Sequence, residues 1–122
     1  MRKLLFLVPV LLAGMASVLP AAGAAPDGAA LFRQRCASCH NMTPGARAVL
    51  GPSLVGVLGR KAGSTAFNYS PALKSSTVVW TEANLNRYLA APGQMVPGTR
   101  MVISVSDAAQ RSISAAPGVV PP

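Results

Sequence analysis

Cysteine, histidine and carboxylates are scarce in this sequence. Of 122 residues, two are cysteine, one is histidine and three are acidic, while aromatics make up 5%. Two cysteines allow at most one disulfide. Cys36 and Cys39 stand only three positions apart, where a bridge would close a tiny loop and remove little unfolded-state entropy. A structural zinc site takes four ligands, and the chain has only three Cys/His side chains. With Asp27, Glu82 and Asp107 as the only acids, the formal net charge is +8. The basic residues are spread singly, without a basic run or interleaved aromatics, and this argues against a nucleic-acid binder. The charge suits either solubility or attraction to acidic partners. No segment sustains strand alternation, and no internal repeat is present.

The first residues read as a targeting segment. Met1-Arg2-Lys3 is a positive start, and residues 4–25, LLFLVPVLLAGMASVLPAAGAA, carry no charge. The small-residue end at Ala22-Gly23-Ala24 predicts a secretory signal over residues 1–24, cleaved after Ala24. The rival is an uncleaved membrane anchor, since about 20 apolar residues span a bilayer. Pro9, Gly14 and Pro20 count against a continuous span. Cleavage leaves about 98 residues, one small domain by length. A chain this short often needs a disulfide, a metal or a cofactor to be stable.

The remainder reads as short helices between long loops. Residues 28–40, GAALFRQRCASCH, predict a helix capped by Asp27, with Gly28, Phe32 and Cys36 on one face. From Asn41 to Asn68, Pro44-Gly45, Gly51-Pro52, Gly56, Gly59 and Gly63 predict loops. Ser70-Pro71 predicts a short helix over 71–76. Thr81 caps the clearest element, in which Glu82 and Arg87 suit the helix dipole and Leu85, Tyr88 and Leu89 form an apolar stripe; Pro92 ends it. PGQMVPGTRM reads as a loop. Ser106 is the expected cap of a last helix over 107–115, which Pro117, Gly118, Pro121 and Pro122 bring to an end.

Cys36-Ala37-Ser38-Cys39-His40 gathers both cysteines and the histidine into five positions. Residues three and four apart on a helix share a face, so all three side chains point one way. Two thiols can add across the two vinyl groups of a haem, and the adjacent imidazole then ligates the iron. C-x-x-C-H is the sequence signal of that attachment. A thioredoxin-like redox pair would need a βαβ context, and no strand precedes Cys36. The expected cofactor is therefore one covalently attached haem c with its iron, held by Cys36 and Cys39 and ligated by His40. The haem also gives a short chain an apolar disc to pack around. Because no second histidine exists, methionine is the expected opposite ligand, a pairing that tends to raise the reduction potential. Met1 and Met15 lie in the targeting segment, and Met42 is too near His40 to reach the opposite face. Met95 and Met101 remain.

Here the chain resembles the small soluble class I cytochromes c, especially bacterial periplasmic ones similar to the mitochondrial carrier. The resemblance runs from about Gly28 to Met101 through GAALFRQRCASCH, LGPSLVGVLGRKAG, FNYSPAL, VVWTEANLNRYLAAP and VPGTRM. It implies an all-α fold, the small class I cytochrome c fold, with short helices and loops wrapped around a covalently attached haem. Met101 matches the family's sulfur ligand. Pro52 matches the residue whose carbonyl accepts a hydrogen bond from the histidine ligand. Arg60, Tyr69 and Trp80 match groups that face the haem propionates, although Tyr69 and Trp80 also read as core aromatics with polar tips. Tyr88 and Thr99 match residues beside the methionine. The implied function is one-electron transfer in the periplasm without bond chemistry on a substrate, to redox partners (a reductase, oxidase or dehydrogenase) with acidic docking surfaces. A membrane location arises only if residues 1–24 stay attached. Two other readings are a haem site with an open sixth position, for ligand binding or peroxidase-like chemistry, and a cytochrome subunit of a larger redox complex.

The resemblance breaks at the C-terminus. The family ends in a long amphipathic helix whose aromatic crosses the first helix near its Gly and Phe. Here Gln110-Arg111 is followed by SISAAPGVVPP, in which Ile113 is the one sizeable apolar residue before Pro117. The expected organisation is a cytochrome domain over 25–111 and an atypical Ala/Pro/Gly/Val tail over 112–122. That tail reads as an alternative cover for Phe32, as a gap that a partner fills, or as the product of a shifted reading frame near Arg111.

Overall fold

A computed structural model of the chain describes residues 27–114. The expected targeting segment, 1–24, and residues 115–122 of the tail lie outside the described residues. Five short helices follow one another: α1 Gly28–Arg35, α2 Pro71–Ser75, α3 Glu82–Ala90, α4 Pro92–Met95 and α5 Ala108–Ser114. The class is all-α, and the one extended pairing described is an isolated bridge between Lys61 and Val79. None of the described helices is long and apolar enough to cross a membrane.

Local chemistry accounts for the helix ends. Asp27 Oδ1 accepts from the Ala29 amide, Ser70 from the Leu73 amide and Thr81 from the Asn84 amide, each capping the helix that follows. The last cap differs from the expectation. Asp107, not Ser106, accepts from the Gln110 amide at 2.8 Å, and its carboxylate also suits the positive end of α5. All three acids of the chain therefore stand at helix N-termini, with Glu82 in the first turn of α3. The first helix is shorter than the expected 28–40 and stops at Arg35, with Cys36 as its cap and a turn over 36–39. The expected loop after Ala90 begins with α4, where Pro92 is pre-set for a first helical position.

α5 packs on both α1 and α3. Arg111 fastens it: Nε donates to Asn86 Oδ1 on α3 at 2.9 Å, and Nη1 donates to the carbonyls of Val105 and Ser106. The crossing is incompletely filled. A cavity of about 60 Å³ remains there, lined by Leu31 and Phe32 of α1, Leu85 and Leu89 of α3, Val105 and Gln110.

The core is small. Val57, Ala62, Trp80, Tyr88 and Val96 form its buried centre, with Leu54, Leu73, Leu85, Met95 and Met101 packed around it. The long loop is drawn onto this core by the segment before α3. Ala62 N donates to Val78 O, Trp80 N to Arg60 O, and Gly59 N to Trp80 O, all within 2.8–2.9 Å. Gly63, at φ +66°, lets the loop pass against α2, for a β-carbon there would lie 2.5 Å from the Leu73 carbonyl oxygen.

Candidate functional site

The CASCH segment sits where α1 unwinds, yet it keeps helical spacing for one more turn. The Cys36 carbonyl accepts from the amides of both Cys39 and His40, at 3.0 and 2.8 Å. Cys36, Cys39 and His40 consequently line one cavity of about 470 Å³. The two cysteines are not joined in a disulfide. Burial pushes the Cys36 thiol up, against the lowering pull of Arg35 and with a further rise from Cys39.

His40 is held from two sides. Its Nδ1 lies 2.8 Å from the Pro52 carbonyl oxygen. A carbonyl can only accept, so Nδ1 carries the proton and Nε2 keeps a free lone pair. On the other side Gly51 approaches so closely that a β-carbon would meet three ring atoms within 2.9 Å. The Gly51 amide also donates to the Cys39 carbonyl at 2.8 Å.

Both Met95 and Met101 pack on the core, but only Met101 lines the same cavity. The segment before Met101 is tied to α3: Tyr88 Oη and Thr99 Oγ1 are 2.5 Å apart, and the Met101 amide donates to Thr99 Oγ1 at 3.4 Å. Burial raises the Tyr88 phenol above its ordinary value, and the Thr99 hydrogen bond only partly offsets this. Trp80 packs against Tyr88 with ring centroids 4.9 Å apart, and both rings face the cavity. Tyr69 also lines it, with its hydroxyl bonded to Thr65 Oγ1. Arg60 reaches the cavity while Nη1 and Nη2 donate to the carbonyls of Val55 and Ser53.

These residues fit a haem. The cavity joins paired thiols, an imidazole with an available lone pair, a thioether and apolar walls from Leu54, Val57, Leu73 and Leu85, and at Gly51 the backbone passes the ring where a side chain would not fit.

Comparison with known proteins agrees. No family model matches the chain. Cytochrome c of Theileria annulata is 47% identical over 77 residues, which cover 63% of this chain and 67% of that one. Cytochrome c2 of Blastochloris viridis is 42% identical over 106 residues, covering 85% of this chain and 80% of the relative. The chain belongs to the class I cytochrome c family. Among solved structures, cytochrome cH from Methylobacterium extorquens superposes with a TM-score of 0.66 at 37% identity, covering 73% of this chain and 93% of that one. As a class I c-type cytochrome, the protein is a small electron carrier with a covalently bound haem, and not an enzyme.

Of the ten residues singled out in the cytochrome sequence, nine line or closely adjoin the cavity in the ways just described. The tenth, Thr99, stands behind Met101. Arg100, expected from the sequence beside Met101 near the haem edge, does line the cavity; sequence reasoning missed its hydrogen-bond partner and the role of Gly51. Gly51 read as loop punctuation, and its signal is its place directly before the proline whose carbonyl accepts the hydrogen bond from His40 Nδ1. Arg100 Nη1 donates to the Asn68 carbonyl at 3.0 Å, a pairing across 32 positions that no spacing reveals. Leu50, Val102 and Ile103, exposed by 76%, 85% and 51%, form the apolar lip of the cavity.

Proposed function

We propose that this cytochrome is a periplasmic one-electron carrier whose haem iron is ligated by His40 and Met101, exported by the signal over residues 1–24 and matured by cleavage after Ala24. The observation that supports the ligand reading is the pairing of one oriented imidazole with one sulfur in a single cavity, which the other candidate sulfur, Met95, does not line.

The haem supplies a one-electron couple at its iron. Cys36 and Cys39 would hold it through thioethers. The Pro52 carbonyl keeps the His40 proton on Nδ1 and so presents Nε2 as the donor atom. Tyr88 and Thr99 steady the segment that carries Met101. Arg60, Tyr69 and Trp80 are the groups suited to the propionates, and the aliphatic walls exclude water, which in a low-dielectric site strengthens each polar contact. His40 and Met101 would be the two protein donors that hold the iron. Arg35 and Arg100, both exposed on the cavity rim, suit acidic docking surfaces on the redox partners.

The test is the optical spectrum of the ferric holoprotein, exported from cells that attach c-type haem. A weak far-red band from methionine–iron bonding is expected. Covalent haem without that band would overturn His/Met ligation in favour of an open sixth position.

A further inference from the structure

We infer that Asn41 is a positioning residue for the histidine ligand: its side-chain amide clamps the returning limb of the loop over 41–51 and so holds the Pro52 carbonyl on the His40 ring. The inference rests on His40 ligating the iron through Nε2, as proposed above.

The loop leaves the site directly after His40 and comes back to it at Gly51 and Pro52. Its far end is a turn, in which the Ala46 amide donates to Thr43 O at 3.1 Å and Gly45 takes φ +75°. Backbone bonds join its two feet: Gly51 N donates to Cys39 O at 2.8 Å and Leu54 N to Asn41 O at 3.0 Å. Residues 43–50 between them are exposed and gain no hold from apolar burial. Among the described side-chain bonds, the one that crosses this span runs from Asn41 Nδ2 to the Arg47 carbonyl at 2.7 Å. It links the residue beside the ligand to the limb that carries Pro52.

The other atom of the same amide shows that position 41 needs a donor. The Arg47 carbonyl can only accept, so it faces Nδ2 and not Oδ1. Oδ1 is buried and has no hydrogen-bond partner among the described residues. Burying an unpaired acceptor is unfavourable, and leucine would fill nearly the same shape without one. What justifies an amide here is the bond its nitrogen makes. Without that clamp the limb lifts more often, and the Pro52 carbonyl parts from Nδ1. The imidazole then loses the bond that fixes its tautomer and orientation.

Hydrogen exchange in the ferrous holoprotein, followed by NMR, is the test, because local opening governs the exchange of protons held within a loop. In Asn41→Ala the His40 Nδ1 proton and the Gly51 amide are expected to exchange roughly three- to tenfold faster than in the parent, as for the loss of one ordinary hydrogen bond. The Thr99 and Val105 amides, bonded to Val96 O and Leu89 O in the Met101 segment, should keep their parent rates. Asn41→Leu, which keeps the bulk and lacks the donor, should match Asn41→Ala. Parent rates in either variant overturn the clamp; in Asn41→Leu they would mean that bulk alone holds the loop. An equal rise at all of these protons makes Asn41 a general stabiliser and overturns the positioning role. The parent offers a check that needs no variant: one Asn41 carboxamide proton should exchange slowly. A carboxamide that exchanges freely overturns the clamp even if neither variant folds. A parent whose His40 Nδ1 shows no protected proton removes the ligand orientation itself, and the clamp with it, before any variant is compared.

Discussion

Gly51 and His40 are in such close contact that a β-carbon on the glycine would lie 2.5 Å from imidazole Cε1 and 2.7 Å from Nδ1. Real β-carbons do not approach that closely, so any side chain at position 51 displaces the ring or the loop. Gly51→Ala is expected to cost about 1–3 kcal/mol, in the range of other overpacked sites. The thioether links, which need only the thiols, should survive. Urea unfolding followed at the haem absorbance, together with the mass of the haem-bearing chain, checks both halves. An unaltered midpoint would mean that the imidazole has room to turn.

Tyr88 makes the stability depend on pH. Its phenol is raised above the ordinary value of 10.0, chiefly by burial. Above pH 10 the folded protein keeps a proton that the unfolded chain releases, so this contribution is present below pH 10 and lost as pH rises through that range. Tyr88→Phe should remove that part of the slope and, by breaking the bond to Thr99, cost about 1 kcal/mol at neutral pH. Denaturation at a series of alkaline pH values reads both effects.

The cavity under α5 offers a gain in stability. Val105 is buried on its wall, and one added methylene is worth about 0.8 kcal/mol when it fills empty apolar space. The whole void of about 60 Å³ corresponds to about 1.4 kcal/mol. Val105→Ile should raise the urea midpoint of the holoprotein by an amount within that bound. A lower midpoint would show that the space closes once the haem is seated.

Electron transfer to an acidic partner should slow as salt is raised from low to physiological strength, because the rim cations are exposed and such charges are screened beyond about 8 Å at 0.15 M. Stopped-flow rates across a salt series measure this. A flat series would place the docking energy in the apolar lip of Leu50, Val102 and Ile103 instead.

Much of the site was legible because its chemistry is local. CASCH is five consecutive residues, and the caps at Asp27, Ser70 and Thr81 act over two or three positions, so spacing alone exposes them. What stayed hidden was long-range. The path of the long loop decides that Gly51 meets His40 and that Arg100 meets Asn68, and neither contact leaves a periodic trace. The last helix was misread at its start because Ser106 and Asp107 are both good caps and only the backbone shows which one is used. α4 was read as loop because Pro-Gly is a strong turn signal, yet Pro92 follows a helix closely enough to begin another turn. The packing of α5 on α1 and α3 was obscured by its small side chains. Arg111 supplies by hydrogen bonds what the sequence lacks in apolar bulk.

A void of about 470 Å³ at the centre of so small a chain has a consequence for its life in the cell. Much of the void's wall is aliphatic and aromatic, surface that water would cover wherever the haem did not. A copy that has missed its cofactor is therefore expected to be less stable than a loaded one, which couples loading to quality control.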